Sequence, residues 1–331
     1  MKQYKVGILG AGHIAEKMAT TLQQMSRAKC YAVASRSYEK ARDFASRHGA
    51  EKAYGTYSEL VADPDVDLIY VATPHSLHFA HARQCMTGGK AVICEKSFTC
   101  NADEATKLFE MSEERGVFIT EAIWTRYMPL MQKIKQLVYN GVIGKPHTLS
   151  ANLGYAISHK ERIQRPELGG GALLDIGVYT LNFAAMVFGT DIDRIDTSCT
   201  KTDTGVDAQE STTLWYRDGR MAQLYSSIYA KTDRQGIISG EDGHIIVDNI
   251  NNPSTVRVFD KNYTEVIRSY APKQITGFEY EIEACADALD RGLTETPFMP
   301  HAETLRMMTL MDGLRKRWGV AFPNDRNATP Q

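Results

Sequence analysis

The sequence of 331 residues has few cysteines and no closely spaced pair of them. Its six cysteines are scattered along the chain without a C-x-x-C motif. This usage fits neither a zinc site built from closely spaced thiolates nor the dense disulfide framework of a small secreted domain. We therefore predict free thiols, no metal centre and a cytoplasmic protein.

An excess of one charge and long apolar runs are missing as well. The formal net charge is −2, and no stretch of lysine and arginine is dense enough to attract nucleic acid or an anionic membrane. No apolar run approaches the ~20 residues of a membrane span, and the first strand begins too early to leave room for a signal peptide. We expect a small-molecule partner, and neither a nucleic-acid nor a membrane partner.

The composition that remains is that of an ordinary globular chain, with 43% hydrophobic and 24% charged residues. Its length is sufficient for two domains. In the first third, short and nearly continuous apolar runs alternate with helix-like segments, as in a doubly wound parallel sheet. The predicted strands cover residues 5–9, 30–34, 67–72, 91–94 and 117–120. We predict an α/β Rossmann domain over residues 1–121.

The pattern changes after residue 121, where strand-like segments follow one another directly. Asp218 and Gly219 supply the turn of a hairpin, and this succession is typical of an antiparallel sheet with one covered face. We predict an α+β substrate-binding and dimerisation domain over residues 122–331, with an open, mostly antiparallel sheet. Because a large uncovered apolar face is unusual in a monomer, we also predict a homodimer through that sheet.

A glycine-rich turn follows the first predicted strand. Gly10, Gly12 and Ala15 form G-x-G-x-x-A between a strand and a helix, which is the context that a dinucleotide-binding fingerprint requires. Gly10 permits a tight turn, and Gly12 lets the backbone approach a pyrophosphate. His13 and Ile14 open the helix, whose N-terminus faces the phosphates. The turn therefore predicts a dinucleotide site.

The end of the second predicted strand indicates which dinucleotide binds. An NAD-binding domain usually places a carboxylate there to bind the ribose hydroxyls, and this sequence has none. It offers Ser35, Arg36 and Ser37 instead, two hydroxyls and a guanidinium that suit a 2′-phosphate. We predict NADP in preference to NAD.

Two further strand ends carry polar residues. Glu95 and Lys96 follow an apolar strand, and Thr73, Pro74, His75 and His78 follow another. Ligands of open α/β sheets lie outside the carboxyl ends of the strands, so we expect both groups at the cofactor, although a strand that has simply reached solvent would look the same. The histidines lack a carboxylate or cysteine among them, so we predict no metal there.

Six segments together resemble the glucose-fructose oxidoreductase/inositol dehydrogenase (Gfo/Idh/MocA) family. They are "GAGHIA", "VATPHSLH", "CEKS", "EAIWTRYMP", "GGGALLDIGVYTL" and "FMPHAETLRMM". The resemblance implies a Rossmann domain followed by a domain with an open sheet, and an oxidoreductase that acts on sugars, polyols or related alcohols. It also implies that Lys96 is an active-site lysine. The family motif E-K-P has Ser97 in place of proline here, which predicts a less rigidly held Lys96.

Asp175 and Tyr179 lie four residues apart on a predicted helix and so share one face. From the residues alone, a helix cap and a half-buried core tyrosine explain them equally well. The resemblance implies that they are catalytic. Tyr179, together with Trp124 and Arg126, resembles the dihydrodiol dehydrogenase and NADP-dependent xylose dehydrogenase branch, whereas inositol dehydrogenases have histidine at the position of Tyr179.

These residues predict a hydride transfer between NADP and a hydroxyl or carbonyl group of a cyclic sugar, polyol or trans-dihydrodiol. Tyr179 would accept the alcohol proton, Lys96 would polarise the oxygen, and Asp175 would orient the substrate. Trp124, Tyr155 and Phe278 are predicted to contact substrate, and Trp124 and Arg126 to contact the cofactor. Surface or packing roles explain these last four residues equally well. The alternative is a non-catalytic NAD(P)-sensing protein, because fold does not fix function.

Overall fold

The computed structural model describes residues 2–328, which divide into two compact units. The first unit contains residues 2–124 and 274–308, and the second contains residues 125–273 and 309–328. Residues 274–308 therefore group with the N-terminal unit, although the sequence placed them in the second domain. Their helix contributes Ile282, Cys285 and Ala288 to the apolar core around the first two strands, and this burial accounts for the difference.

The first unit is built on a parallel sheet of six strands. They are β1 (Tyr4–Leu9), β2 (Ala28–Ala34), β3 (Lys52–Tyr54), β4 (Leu68–Val71), β5 (Ala91–Glu95) and β6 (Ile119–Ala122). Their order across the sheet is β3-β2-β1-β4-β5-β6, so it reverses between β1 and β4. A ligand crevice of an open α/β sheet lies at the carboxyl ends beside such a reversal. The predicted parallel sheet is confirmed, and a short third strand is added to it.

Helices of the first unit connect these strands. One of them begins after Asn101, whose side chain accepts a hydrogen bond from the Glu104 amide at 3.0 Å, and ends at Gly116 in a left-handed conformation. The helices are α1 (His13–Leu22), α2 (Tyr38–His48), α3 (Tyr57–Ala62), α4 (His75–Thr87) and α5 (Ala102–Arg115), and a 3-10 turn (Trp124–Tyr127) begins at the last residue of this first part of the unit.

The second unit contains an eight-stranded sheet. Its strands are β7 (Pro146–Gly154), β8 (Ile192–Lys201), β9 (Asp207–Tyr216), β10 (Met221–Ser227), β11 (Gly236–Gly240), β12 (Gly243–Val247), β13 (Thr255–Asp260) and β14 (Glu265–Tyr270). They lie in the order β14-β13-β12-β11-β7-β10-β9-β8. Only β7 and β10 pair in parallel, so the sheet is mostly antiparallel, as predicted.

One face of this sheet is covered by helices and the other carries exposed side chains. On β9, Glu210 and Leu214 are buried, whereas Gln209 and Ser211 are exposed. The expected uncovered apolar face is therefore largely polar, with Tyr225 as its exposed aromatic residue on β10. The remaining helices are α6 (Pro129–Tyr139), α7 (Glu161–Gln164), α8 (Val178–Phe188), α9 (Glu279–Asp290) and α10 (His301–Trp318), with a π-helix (Leu173–Gly177) directly before α8 and 3-10 turns at Pro166–Leu168 and Pro323–Ala328.

One helical stretch of the described chain is long and apolar enough to span a membrane by length and composition. It runs over Pro166–Phe188, with a mean hydropathy of 1.5 in its most apolar window. The expectation that no run approaches this length is therefore wrong. Because 83% of that window is buried inside the protein, the stretch has the character of a core helix, and its apolar face is explained by packing.

Candidate active site

The glycine-rich turn after β1 has the geometry that a pyrophosphate site needs. Gly10 has a φ of 104°, and a Cβ atom there would lie 3.0 Å from the Ala72 carbonyl oxygen, so the position requires glycine. At Gly12 an added Cβ would meet nothing within 4 Å, which leaves open space above the start of α1. His13 is exposed and Ile14 is half-buried on that first turn. The residues present therefore fit a dinucleotide.

The turn after β2 contains Ser35, Arg36 and Ser37. Ser37 caps α2 by accepting a hydrogen bond from the Lys40 amide at 3.4 Å, and the Ser35 hydroxyl accepts one from the Ser37 amide at 3.4 Å. Arg36 is exposed. Burial and then the nearby Arg36 guanidinium lower the pKa of His81, which identifies His81 as a neighbour of Arg36. The hydroxyls thus shape the turn, and Arg36 extends from it.

Sequence reasoning missed the aromatic neighbours of Arg36. The Tyr57 and His81 rings meet edge to face with centroids 4.7 Å apart, and Arg36 influences the pKa of both residues. Tyr57 begins α3 and His81 lies in α4, far from Arg36 in the sequence. The positive charge of Arg36 therefore acts on both members of this aromatic pair.

The turn after β4 is joined to the turn after β5 by a buried histidine. His78 is fully buried, and its ring nitrogens lie 2.9 Å from the Ser97 carbonyl oxygen and 2.7 Å from the Thr73 carbonyl oxygen. Burial lowers the pKa of His78 to about 4, so the ring is neutral near pH 7 and donates one hydrogen bond at a time. The sequence proposed a cofactor contact for His78, and the structure gives its ring nitrogens backbone partners.

The other residues predicted on this turn have separate surroundings. The Thr73 hydroxyl hydrogen-bonds the Nδ1 atom of His81 at 3.0 Å, and Pro74 precedes α4 in an extended conformation. His75 is buried, with its ring edge to face with that of His78 at 5.6 Å. Within residues 2–328, no three His, Cys, Asp or Glu side chains gather in a way that would hold a metal ion.

Glu95 and Lys96 stand at the end of β5, as predicted. The buried Glu95 carboxylate accepts hydrogen bonds from the Tyr70 hydroxyl on β4 and from the Lys96 amide, the latter at 3.2 Å. The Lys96–Ser97 peptide bond is cis. Ser97 is fully buried, and its carbonyl oxygen lies against His78. Hydrogen bonds therefore hold the backbone of the turn that lacks the family proline, and a less rigidly held Lys96 side chain remains a prediction.

Three residues predicted to contact ligands are engaged with the protein. Trp124 stacks on Phe278 with ring centroids 4.5 Å apart, and Phe278 is itself buried in the core. Arg126 is buried in the second unit, where its Nε atom donates a hydrogen bond to Asn182 at 2.6 Å. Trp124 is half-buried, so among these three it retains the most accessible surface. The ligand contacts of all three remain predictions.

The second unit positions Asp175 in a π-helix rather than in the regular helix that the sequence predicted. Asp175 is buried, and its two carboxylate oxygens accept hydrogen bonds from the two terminal nitrogens of Arg162 at 3.0 and 3.3 Å. This paired geometry orients both groups strongly. Arg162 belongs to the short helix α7, and its side chain is 46% exposed, so it combines a fixed carboxylate contact with access to solvent.

Tyr179 lies in the first turn of α8 and is 8% exposed. Tyr155 lies elsewhere in the unit, just after β7, where its hydroxyl accepts a hydrogen bond from Asn251 at 3.0 Å. The second unit thus offers a buried carboxylate held by arginine, with a tyrosine four residues later.

Comparison with known proteins places these features in a family. Residues 4–122 match the GFO_IDH_MocA oxidoreductase family with an NAD-binding Rossmann fold, and residues 131–246 match the C-terminal domain of the same family. The chain belongs to the Gfo/Idh/MocA family. Family membership confirms the predicted fold class and an oxidoreductase that acts on CH–OH groups.

Relatives cover nearly the whole of this Gfo/Idh/MocA protein. Trans-1,2-dihydrobenzene-1,2-diol dehydrogenase from Xenopus tropicalis is 35% identical over 96% of this chain and 99% of the relative. The Bos taurus enzyme of the same name is 32% identical over 97% and 98%, respectively. Among solved structures, KijD10, a 3-ketoreductase from Actinomadura kijaniata in complex with NADP and TDP-benzene, has a TM-score of 0.87 at 25% identity and covers 95% of this chain and 98% of its own.

Proposed function

We propose that this protein is an NADP-dependent dehydrogenase that acts on a ring CH–OH group of a cyclic diol or sugar. The observation that carries the proposal is the buried Asp175 carboxylate, fixed by Arg162 and followed by Tyr179 at the start of α8. A non-catalytic sensor has no use for such a carboxylate and tyrosine. The names of the dihydrodiol dehydrogenase relatives and of the 3-ketoreductase neighbour support the substrate class.

For the cofactor we propose NADP, with its pyrophosphate over Gly10 and Gly12 and its 2′-phosphate at Arg36. The open space at Gly12 and the absence of a carboxylate among residues 35–37 support this choice. The NADP bound to the 3-ketoreductase neighbour agrees with it. When bound, the nicotinamide accepts or supplies the hydride.

Residues of the chain would then transfer the proton of the substrate hydroxyl and stabilise the charge on its oxygen. Tyr179 takes the proton of the substrate hydroxyl during oxidation and returns it during reduction. The Lys96 ammonium stabilises negative charge that develops on the same oxygen. Asp175 and Arg162 orient a neighbouring substrate hydroxyl, because together they offer both acceptors and donors.

The test is to follow NADP and NAD reduction separately across trans-dihydrodiols, aldoses and inositols, and NADPH oxidation with the corresponding ketones. We expect turnover with at least one diol or sugar and a preference for NADP. The Tyr179→Phe variant serves as the chemical control and should bind NADP normally. Tight NADP binding with no turnover of any member of the panel would favour the sensor, and a clear preference for NAD would contradict the role of Arg36.

We also propose a cytoplasmic homodimer that pairs through the outer face of the eight-stranded sheet. All six cysteines are free thiols, which suits a reducing compartment. Tyr225 is 47% exposed on the outer face and would anchor a partner. Light scattering at micromolar concentration should give a dimer mass for the wild type and a monomer mass for Tyr225→Glu. A monomeric wild type would exclude the dimer at that concentration.

A further inference from the structure

Two carboxyl groups lie beneath the π-helix that carries Asp175. Asp207 and Glu210 both belong to β9, and both are buried. The Asp207 Oδ2 atom accepts a hydrogen bond from the Leu173 amide, the first residue of the π-helix, at 2.5 Å. Neither carboxyl group belongs to a motif that the sequence predicts to be functional.

Glycines at both ends of the π-helical segment make room for these carboxyl groups. A Cβ atom at Gly171 would overlap Oδ1 of Asp207, and one at Gly177 would overlap Oε1 of Glu210. Gly177 has a φ of −61° and a ψ of −30°, which any residue adopts in a helix. At Gly177, therefore, the carboxyl contact and not the backbone requires glycine.

The pair is electrostatically costly. Oδ1 of Asp207 and Oε2 of Glu210 are buried without a hydrogen-bond partner. Burial raises the pKa of Asp207 to about 6, and burial together with Asp207 raises that of Glu210 well above its usual range. Two buried, incompletely paired acids destabilise a core relative to apolar residues of similar size. A role other than stability would explain their presence.

We propose that Asp207 and Glu210 are positioning residues that hold the two ends of the π-helix and thereby fix the direction of Asp175 and Tyr179. Asp207 ties down the first residue of the π-helix, and Glu210 presses against its last. The inference rests on the proposed catalytic roles of Asp175 and Tyr179. A displacement on the order of 1 Å in a catalytic group is enough to lower turnover about 100-fold, so contacts behind the helix matter to the chemistry.

The test changes the number of carbon atoms on each side of the contact between Gly177 and Glu210. Gly177→Ala adds a methyl group against Glu210, Glu210→Asp removes a methylene group, and the double variant does both. We expect Gly177→Ala to lower kcat about 10- to 100-fold and Glu210→Asp to lower it about 3- to 10-fold, because each displaces the π-helix. The double variant should return to within about 5-fold of the wild type. Gly313→Ala, a helical glycine whose added Cβ meets nothing within 4 Å, is the matched control and should leave kcat unchanged.

Each kcat is measured per folded molecule, well below the unfolding transition, with the NADP dissociation constant as a second readout. A merely structural role would lower the melting temperature and leave kcat of the folded fraction unchanged, and that result would overturn the inference. A double variant no better than Gly177→Ala would overturn it as well. If Gly177→Ala does not fold, Glu210→Asp decides alone, since it adds no atom, and wild-type kcat in that variant would contradict the proposal.

Tyr179→Phe distinguishes failure of the positioning role from failure of the proposed function. A wild type without turnover of any diol or sugar would refute the proposed function itself, and a wild-type kcat for Tyr179→Phe would refute the catalytic role of Tyr179 on which the inference rests. A lowered kcat in Tyr179→Phe, combined with wild-type kcat in Gly177→Ala, Glu210→Asp and the double variant, would refute only the positioning role of Asp207 and Glu210.

Discussion

The turn that carries Lys96 and the π-helix that carries Asp175 are held in contrasting ways. Behind Lys96, Tyr70 donates to Glu95, and a neutral His78 lies between two backbone carbonyl groups. Behind Asp175, two neighbouring carboxyl groups are buried with oxygen atoms that lack partners. The first support is a network of paired polar groups, and the second is a tightly packed acidic contact.

This difference predicts that the two supports respond to different kinds of change. A paired network loses stability when one partner is removed, because a buried donor or acceptor is left unsatisfied. An acidic contact with unpaired oxygens responds instead to added volume and to pH. Substitutions in each support, and in the residues that the two supports serve, therefore test the contrast.

Lys96→Met and Tyr179→Phe should have the largest effect. Each removes a group that we propose acts on charge or protons in the transition state, so we expect kcat to fall on the order of 10² to 10⁴-fold with NADP affinity largely retained. Stopped-flow turnover and NADP titration measure the two quantities. Lys107→Met, an exposed lysine on α5, is the control.

The double variant Lys96→Met/Tyr179→Phe should be scarcely slower than the slower single variant if the two residues act as one unit, as we propose. Multiplicative losses would mean that they act independently. Wild-type turnover in both single variants would refute the catalytic roles of Lys96 and Tyr179.

Arg36→Ala should weaken NADP binding by about 1.5 to 3 kcal/mol, roughly 10- to 160-fold, since a charge-assisted hydrogen bond to the 2′-phosphate is lost. NAD affinity should hardly change. Isothermal titration with both cofactors measures the difference, and Lys40→Ala controls for the general loss of positive charge nearby. Equal losses for NADP and NAD would contradict a 2′-phosphate contact.

His78→Leu should reduce the free energy of unfolding by about 1 to 3 kcal/mol. Leucine keeps most of the volume but leaves a buried carbonyl oxygen of Thr73 or Ser97 without its donor. Urea denaturation gives the value, and His159→Leu, an exposed histidine, should cost much less. An unchanged stability would show that His78 is ordinary core packing.

The smallest expected effect concerns pH and the acidic contact. Because burial raises the folded-state pKa of Asp207 to about 6, the folded protein binds a proton that the unfolded chain has released above pH 4. Stability from this group is present at low pH and is lost as pH rises through 6, by about 1 kcal/mol between pH 5 and pH 7. Glu210, Cys199 and Arg315 are the charged or titratable neighbours that tune it.

Urea denaturation at pH 5 and pH 7 checks this prediction. The wild type should lose about 1 kcal/mol more than Asp207→Asn over that interval, because asparagine does not titrate. Parallel pH dependence of the two proteins would mean that Asp207 is ionised throughout, and the acidic contact would then need another explanation.

The nucleotide half of the molecule was largely predictable, for a physical reason. Buried parallel strands are continuous apolar runs, and a glycine that needs a positive φ leaves a mark at one position, as Gly10 does. In the second unit, β8 carries a weak strand signal, because Asp193, Arg194 and Asp196 give it a polar, edge-strand sequence. β3 contains only three half-buried residues, too few for any periodic pattern.

The tertiary partners of the candidate site were not predictable from one sequence. Arg162 with Asp175, and Tyr70 with Glu95, join residues whose separation along the chain carries no periodic signal. The π-helix was also missed, since its residues match an apolar α-helix in composition. Only the run of glycines before it hinted at close contacts, and it did not identify the carboxyl groups that they accommodate.

Because of the π-helix, the number of residues in this segment affects how Asp175 is positioned relative to Tyr179. A π turn holds one more residue than an α turn, so it acts as an insertion that shifts the angular phase of α8 relative to the residues before the π-helix. Deleting a single residue such as Ile176 would let the backbone adopt the hydrogen-bond pattern of a regular α-helix, with few hydrogen bonds lost. Asp175 and Tyr179 would then lie three residues apart in an α-helix, about 60° apart around its axis and still on one face. The deletion would therefore preserve the helix but change the angle between the carboxylate and the tyrosine, and no later substitution in α8 would restore that angle.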